Sequence, residues 1–281
     1  ANYALLLSAA AGEIAAGGPN VRIGLVYLRL WATAEEPWNK PSAPTQLDQL
    51  RSVWNATMDG IPREIAHFLS GRVLGGGAAW TKSLCSNKAY SLSSNMNGFF
   101  PYPLLDNHPQ NWDVIVVAHE LGHNLGGKHT HEYGMESPDL CGFGECLVGP
   151  QGTILSYCFI CPGGMANIKL LFAPISNASI NSHMAAVACL PPADDPTPIA
   201  VEDFAFTVNG ATVELDLLAN DLPANCLPVV MTSAESVSVA GGVVKAPGGL
   251  APVLYTAPIG FIGLDSFAYA IVAPGSSGGQ T

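Results

Sequence analysis

Three of the chain's seven histidines fall within one short stretch, His119-Glu120-Leu121-Gly122-His123-Asn124-Leu125-Gly126-Gly127-Lys128-His129. The apolar run Val114-Ile115-Val116-Val117-Ala118 leads into it and reads as the start of a buried helix, with Asn111 or Asp113 available as its cap. His119 and His123 are four residues apart. On a helix they share a face, with Cβ atoms about 5–6 Å apart, close enough for two imidazoles to hold one metal ion. Glu120 lies beside the first of them, placed to reach a metal-bound water without itself ligating. Gly126 can take positive φ at low cost, so the backbone can turn out of the helix there. The turn returns His129 as a third donor. Three neutral imidazoles with a fourth position open suit a catalytic zinc ion better than a closed structural one.

Composition narrows the setting. The chain has 281 residues, 48% hydrophobic and only 12% charged. That length allows one large domain or two ordinary ones. A net charge of −11 argues against a nucleic-acid backbone as partner. No apolar run is long enough for a membrane span. Seven cysteines are present, and six of them (Cys85, Cys141, Cys146, Cys158, Cys161 and Cys189) lie in the first two thirds. With three histidines already serving the metal, these six are available to form three disulfides in an oxidising compartment. The alternative for Cys141, Cys146, Cys158 and Cys161 is a second, thiolate-bound zinc. Cys226 is left over and reads as a small buried hydrophobe.

The histidine stretch matches HExxHxxGxxH, and on that motif the chain resembles the metzincin zinc endopeptidases of the reprolysin (adamalysin-like) bacterial type. The resemblance implies an α+β fold for residues 1–190, an α/β/α zincin-like domain with a twisted sheet and an active-site helix. It implies one catalytic zinc held by His119, His123 and His129, a zinc-bound water activated by Glu120, and protein or peptide substrates. Gly152-Thr153-Ile154-Leu155-Ser156-Tyr157-Cys158 resembles the family's turn beneath the metal. Leu155 stands where the family has methionine, an apolar replacement of similar volume that should keep the packing role. Tyr157 matches the tyrosine that astacin-like and serralysin-like relatives place near zinc, where it either ligates the metal or hydrogen-bonds the tetrahedral intermediate. By the same resemblance Cys85 pairs with Cys189 as an outer clamp, with Cys141–Cys161 and Cys146–Cys158 stapling the loop between. Gly75-Gly76-Gly77-Ala78-Ala79-Trp80 resembles the edge strand that pairs with extended substrate in this family; the bland reading is a glycine-rich turn before a strand.

The remaining elements must carry that centre. The first segment, from Ala1-Asn2-Tyr3 to Gly17-Gly18-Pro19, reads as a short helix with an exit signal. A chain of the resembled type would place a strand before it. Residues 21–31 alternate and predict a strand, followed by a loop at Glu35–Asn39. Residues 45–58 predict a helix with Leu47, Leu50, Val53 and Trp54 on one face. Ile65–Leu69 predicts a strand, and 86–112 a polar loop. His131 reads as a surface group or one that supports the ligands. His67, His108 and His183 read as structural. Glu136, Asp139 and Glu145, in the loop over 132–151, offer oxygen ligands for a structural calcium ion, though nothing in their spacing requires one. Ile180, Met184 and Val187 mark a final helix ending near Cys189. The sequons at Asn55-Ala56-Thr57 and Asn177-Ala178-Ser179 matter only in a host that glycosylates.

Residues 191–200 form a proline-rich linker. Beyond it come short β segments at Phe204–Val208, Thr212–Leu217, Val229–Met231, Val237–Val239, Val243–Lys245, Val253–Thr256 and Ser266–Val272. They predict a small all-β sandwich over 201–275, with a flexible end at 276–281. Leu217-Leu218-Ala219-Asn220-Asp221 and Gly263-Leu264-Asp265-Ser266-Phe267-Ala268-Tyr269 resemble bacterial immunoglobulin-like and cadherin-like modules, which implies a spacer or an adhesion unit for matrix or cell surface. Two functions from different classes follow. One is a secreted zinc endopeptidase. The other is an adhesion or matrix-binding protein whose zinc domain has degenerated. A zinc hydrolase of non-peptide amides is a third, less in keeping with the extended motif.

Overall fold

The computed structural model describes residues 2–31, 36–58, 60–147, 151–190, 198, 200, 203, 205–219, 221, 229–247, 252–272 and 279–280. The chain divides into two compact units, Ala1–Leu190 and Pro191–Thr281. Glu35, Cys226, most of the proline-rich linker and most of the chain end lie outside the described residues.

The first unit is built on a three-stranded sheet of β1 (Ala66–Leu69), β2 (Gly77–Ala79) and β3 (Tyr90–Ser93) in the order β1-β3-β2. β1 runs parallel to β3, and β2 runs antiparallel to it along the edge. Alternation along these strands sorts side chains to two faces. Ala66, Phe68, Tyr90 and Leu92 join Leu47 and Leu50 of helix α2 (Ala43–Thr57) in one apolar cluster, with Trp80, Trp54 and Val53 at its edge. The opposite face carries α3 (Trp112–Leu125), which in turn packs on α1 (Asn2–Gly17). In α1 the spacing of Leu7, Ala10, Ala11 and Ile14 makes one buried stripe, shared with Val114, Val117 and Leu121 of α3. A fourth helix, α4 (Pro174–Met184), packs on α3 through Ile180.

Helix α3 is the central element, and all of its residues from Asp113 to Leu125 are buried. A helix buried on every side needs its ends satisfied from elsewhere. At its N-terminus Asn111 occupies the cap position but does not cap with its side chain, which donates to Leu105 O at 2.7 Å. Asp113 does not cap either. Its carboxylate accepts from Asn97 N and Gly98 N, each at 2.9 Å, and from the Tyr3 hydroxyl, so it ties the loop after β3 and helix α1 to α3. At the C-terminus Lys82 N and Ser83 N donate to the carbonyls of His123 and Asn124 at 2.9 and 3.1 Å. Asn124 completes the join, with Nδ2 within 3.0 Å of Trp80 O, Ser83 Oγ and Tyr90 O.

Three expectations need correction. Residues 21–31 form no strand. Their alternation is matched by side-chain packing, with Ile23 against the α1 cluster, Tyr27 edge-on to Trp54 and Trp31 against Trp38 and Phe68, but no ladder partner lies alongside among the described residues. Period-two alternation reports a two-sided environment, and that does not require hydrogen-bonded pairing. The reverse happens at Tyr90–Ser93, expected as loop and found as the central strand β3 with every residue buried. Ser91 and Ser93 disguise it, because their hydroxyls meet the two ring nitrogens of His67 at 2.7 and 3.0 Å on the α3 side. The disulfide clamp Cys85–Cys189 is as expected, but the loop staples are Cys141–Cys158 and Cys146–Cys161. Cys141 and Cys158 each open a short 3-10 turn and meet in the core, so the two segments lie in the same sense and the pairs are staggered, not nested. All six cysteines are thereby oxidised, which removes the second thiolate-bound zinc.

The second unit is antiparallel. One sheet is β4 (Thr212–Leu215), β7 (Val253–Thr256) and β6 (Val243–Lys245) in the order β4-β7-β6. The other is β5 (Val230–Ala234), β8 (Tyr269–Val272) and β9 (Gly279–Gln280) in the order β5-β8-β9. Met231 of one sheet and Val244 and Val253 of the other share a small apolar cluster with Leu217. Asp265 ties the loops together, accepting from the Ser238 hydroxyl, Tyr255 Oη at 2.6 Å, Ala240 N at 2.7 Å and Ser266 N at 2.9 Å. Residues 205–208 carry no strand, and Val237 contributes only an isolated bridge to Val243.

Asp113 gives the first test. Replacing it with alanine leaves two backbone donors and a phenol without their acceptor, and should lower stability by about 2–4 kcal/mol in chemical denaturation. Asp113→Asn, which keeps one acceptor oxygen, should lose less.

Candidate metal centre

Helix α3 sets His119 and His123 one turn apart on one face, with ring centroids 4.8 Å apart. Gly126 takes φ 118° in the left-handed region and donates back to the last turn, ending the helix. The chain then returns, and His129 Nε2 comes to 3.1 Å from His123 Nε2. One ring nitrogen from each of the three histidines lies within 4.8 Å of those of the other two. The structure thus brings together the three residues expected as ligands.

The other nitrogen of each ring has its own partner. His119 Nδ1 donates to Ile154 O at 2.6 Å, and His123 Nδ1 donates to Gly127 O at 2.9 Å. A carbonyl only accepts, so both rings carry their proton on Nδ1 and present an Nε2 lone pair. His129 Nδ1 faces the Glu132 carboxylate at 3.4 Å, which favours the same tautomer. Lone pairs crowded at 3.1 Å repel unless a cation lies among them. The donor set therefore fits a divalent metal that accepts nitrogen ligands, and zinc suits it. Burial also keeps these rings neutral. It holds His119 well below the usual histidine range and lowers His123 to about 4.

Glu120 is buried beside them and forms no ion pair among the described residues. Burial pushes its carboxyl up to about 8. A neighbouring cation would oppose that shift. Gly77 of the edge strand lies directly on it; a Cβ there would sit 2.3 Å from Glu120 Oε1. Tyr157 is half-buried, its ring 4.4 Å from that of His129 and 6.2 Å from that of His119. Burial and the nearby Glu120 and Glu132 carboxylates raise its phenol.

The turn over 152–158 lies under the end of α3. Ile154 N bonds Leu171 O at 3.0 Å, and Ser156 N closes on Thr153 O at 2.9 Å. Its carbonyls reach both sides of the centre, with Ile154 O on His119 and Leu155 O accepting from Thr130 N at 3.0 Å just past His129. Leu155 is fully buried, and a Cβ on Gly127 would stand 2.3 Å from its Cδ1.

His131 stacks parallel to His129 at 5.3 Å, meets Phe143 edge-on and lies against Gly142 of the disulfide loop. It packs the His129 ring from outside. Sequence reasoning missed Glu132. Its carboxylate accepts from His129 N at 3.1 Å as well as facing the ring, and the three-residue spacing of a capping box was the available signal. His67, His108 and His183 stand apart from the centre; His67 bonds Ser91 and Ser93, and His183 packs over Gly126. The calcium expectation finds no support. Glu136, Asp139 and Glu145 form no common cluster among the described residues, and the group around Asp139 otherwise consists of disulfide-bonded sulfurs.

A cavity of about 320 Å³ opens on the centre, lined by His119, Glu120, His123, His129 and Tyr157, by β2, and by the first turns of α2. Another, of about 300 Å³, lies in the second unit and holds a single titratable side chain, Glu235.

A buried carboxyl beside three converging imidazoles, at the floor of an open cleft, belongs to the class of metal-dependent hydrolases. The family model described as metallo-peptidase family M12, of reprolysin type, matches residues 4–166, more than half of the chain, and the chain belongs to that family. Membership implies a zinc-dependent peptide hydrolase acting on protein or peptide substrates. The match ends before the second unit. No curated protein matches the chain.

Leu155 offers a test of the turn. Leu155→Met conserves volume and should cost less than about 1.5 kcal/mol with zinc binding intact. Leu155→Ala should cost about 2–5 kcal/mol and weaken zinc retention, read by thermal unfolding and competition with a chelator.

Proposed function

We propose that the chain is a secreted zinc endopeptidase, with His119, His123 and His129 as the metal ligands and Glu120 as the general base. The observation that carries this reading is the convergence of the three ring nitrogens beside a buried Glu120 that forms no ion pair among the described residues. Zinc held there supplies Lewis acidity, polarising the scissile carbonyl and making water acidic enough to deprotonate near neutral pH. Glu120 takes the proton of the attacking water on a carboxylate oxygen and passes it to the leaving nitrogen. Tyr157 Oη donates a hydrogen bond to the carbonyl oxygen as negative charge builds there. The three imidazoles stay neutral and fixed through their Nδ1 bonds, so they present the same geometry at each turn of the cycle.

Residues 1–190 form the protease domain in this reading, with a zincin-like arrangement. Residues 191–200 are the linker, 201–275 an immunoglobulin-like sandwich and 276–281 an end segment. The sandwich acts as a spacer or as an adhesion module for matrix or cell surface. Three disulfides suit an oxidising, extracellular compartment, and no helix among the described residues is long and apolar enough to cross a membrane.

The test is zinc content and cleavage of casein or gelatin, with and without a chelator, on the parent and on Glu120→Ala. The parent should carry about one zinc per chain and cleave in a chelator-sensitive way. Glu120→Ala should keep its zinc and lose at least about 10²–10⁴-fold in turnover. Cleavage by Glu120→Ala at the parent rate would remove the assigned base. A parent with no zinc would leave the adhesion reading.

A further inference from the structure

The edge strand β2 has a definite phase. Ser94 N donates to Gly76 O at 3.2 Å, so Gly76 and Ser94 form a hydrogen-bonded pair in the antiparallel ladder. Pairing alternates along such a ladder. Ala78 therefore bonds inward to Leu92, while Gly77 and Ala79 direct their N–H and C=O groups away from β3. Those outward groups border the cleft. An extended peptide added along this edge sends successive side chains to opposite faces. On one face they meet Glu120, the imidazoles and Tyr157. On the other they meet the first turns of α2, where Pro44, Leu47 and Asp48 line the same cavity.

Pro44 and Leu47 are apolar. Asp48 is the charged member of that wall, exposed, and among the described residues its carboxylate forms no ion pair and accepts no hydrogen bond. Its neighbour Arg51 lies over the Trp80 ring at 5.5 Å, with Lys88 on the same ring at 6.0 Å, and among the described residues it forms no ion pair with Asp48. Asp48 thus places a negative charge on the α2 wall of the cleft. An overall charge of −11 adds a field that draws cations.

We infer that Asp48 is a specificity-determining residue, and that the α2 wall of the cleft takes a lysine or arginine side chain of the substrate. The inference rests on the peptidase reading above and names what that site accepts. An ammonium or guanidinium there completes a charge pair across the cleft. A glutamate there would face a like charge, and a glutamine would leave the carboxylate without a partner in a space the peptide has partly dried.

The experiment uses the full, zinc-loaded chain and peptide sets identical except for Lys, Gln or Glu placed at each position in turn. At one position the parent should favour Lys over Gln by about 5–20-fold in kcat/KM, the range expected of a half-exposed charge pair. In Asp48→Asn that ratio should fall to about one, and in Asp48→Lys the preference should pass to Glu. Because a ratio is read, a general loss of rate in either variant does not mimic the result. A binding readout comes from Glu120→Ala, with and without Asp48→Asn, titrated with the labelled Lys and Gln peptides; the same ratio should appear in Kd and vanish with Asp48. A Lys preference that survives Asp48→Asn overturns the inference and leaves the peptidase reading intact. A parent that neither cleaves nor binds any of the peptides overturns both.

Discussion

Two backbone carbonyls determine what this centre can bind. Ile154 O and Gly127 O each accept from an Nδ1–H, and by doing so they select the tautomer of His119 and His123. The remaining lone pairs then point into one small space, joined by His129 from beyond the helix. Each carbonyl is placed by a separate piece of structure. Gly127 O follows from the left-handed exit at Gly126. Ile154 O follows from the buried turn that Leu155 anchors beneath α3. The cluster of three rings is therefore as rigid as the packing of that turn, and the many contacts made by α3 bear on its geometry through those two hydrogen bonds.

Close approach is the second constraint. Helix α3 meets the edge strand at Gly77 and the turn at Gly127, at separations where a single added Cβ would stand 2.3 Å from Glu120 or from Leu155. Both contacts are needed at once. The first keeps the carboxyl of Glu120 beside the outward backbone of the strand, and the second keeps the turn close enough for Ile154 O to reach the His119 ring. The polar joins follow the same plan. Asn124, buried within the motif, donates to two carbonyls and a hydroxyl of the sheet side, which fixes the end of the helix that carries His119 and His123 against the sheet.

The disulfides brace the outer shell. Cys141–Cys158 ties the loop that packs on His131 to the segment that carries Tyr157, and Cys146–Cys161 holds the next turn of the same pair of segments. In a chain with so few charged residues, these covalent ties and the buried polar joins take the place of surface ion pairs, which contribute little in any case.

The sequence by itself determined the local chemistry: a spacing of four on a helix brings two imidazoles together whatever surrounds them, and a glycine after that helix lets the third return. The helices at 2–17 and 43–57 were legible for the same reason, since helical bonds and buried stripes both lie within a few residues. Tertiary structure decided the rest. Strand β3 hid behind serines whose role appears only when His67 is opposite them. Residues 21–31 alternated like a strand but found no ladder, because pairing depends on what lies alongside. The order of the loop disulfides turned on the relative direction of two segments, which spacing does not encode. The tautomers of the ligands and the face that α2 presents to the cleft are likewise set by groups far away in the chain.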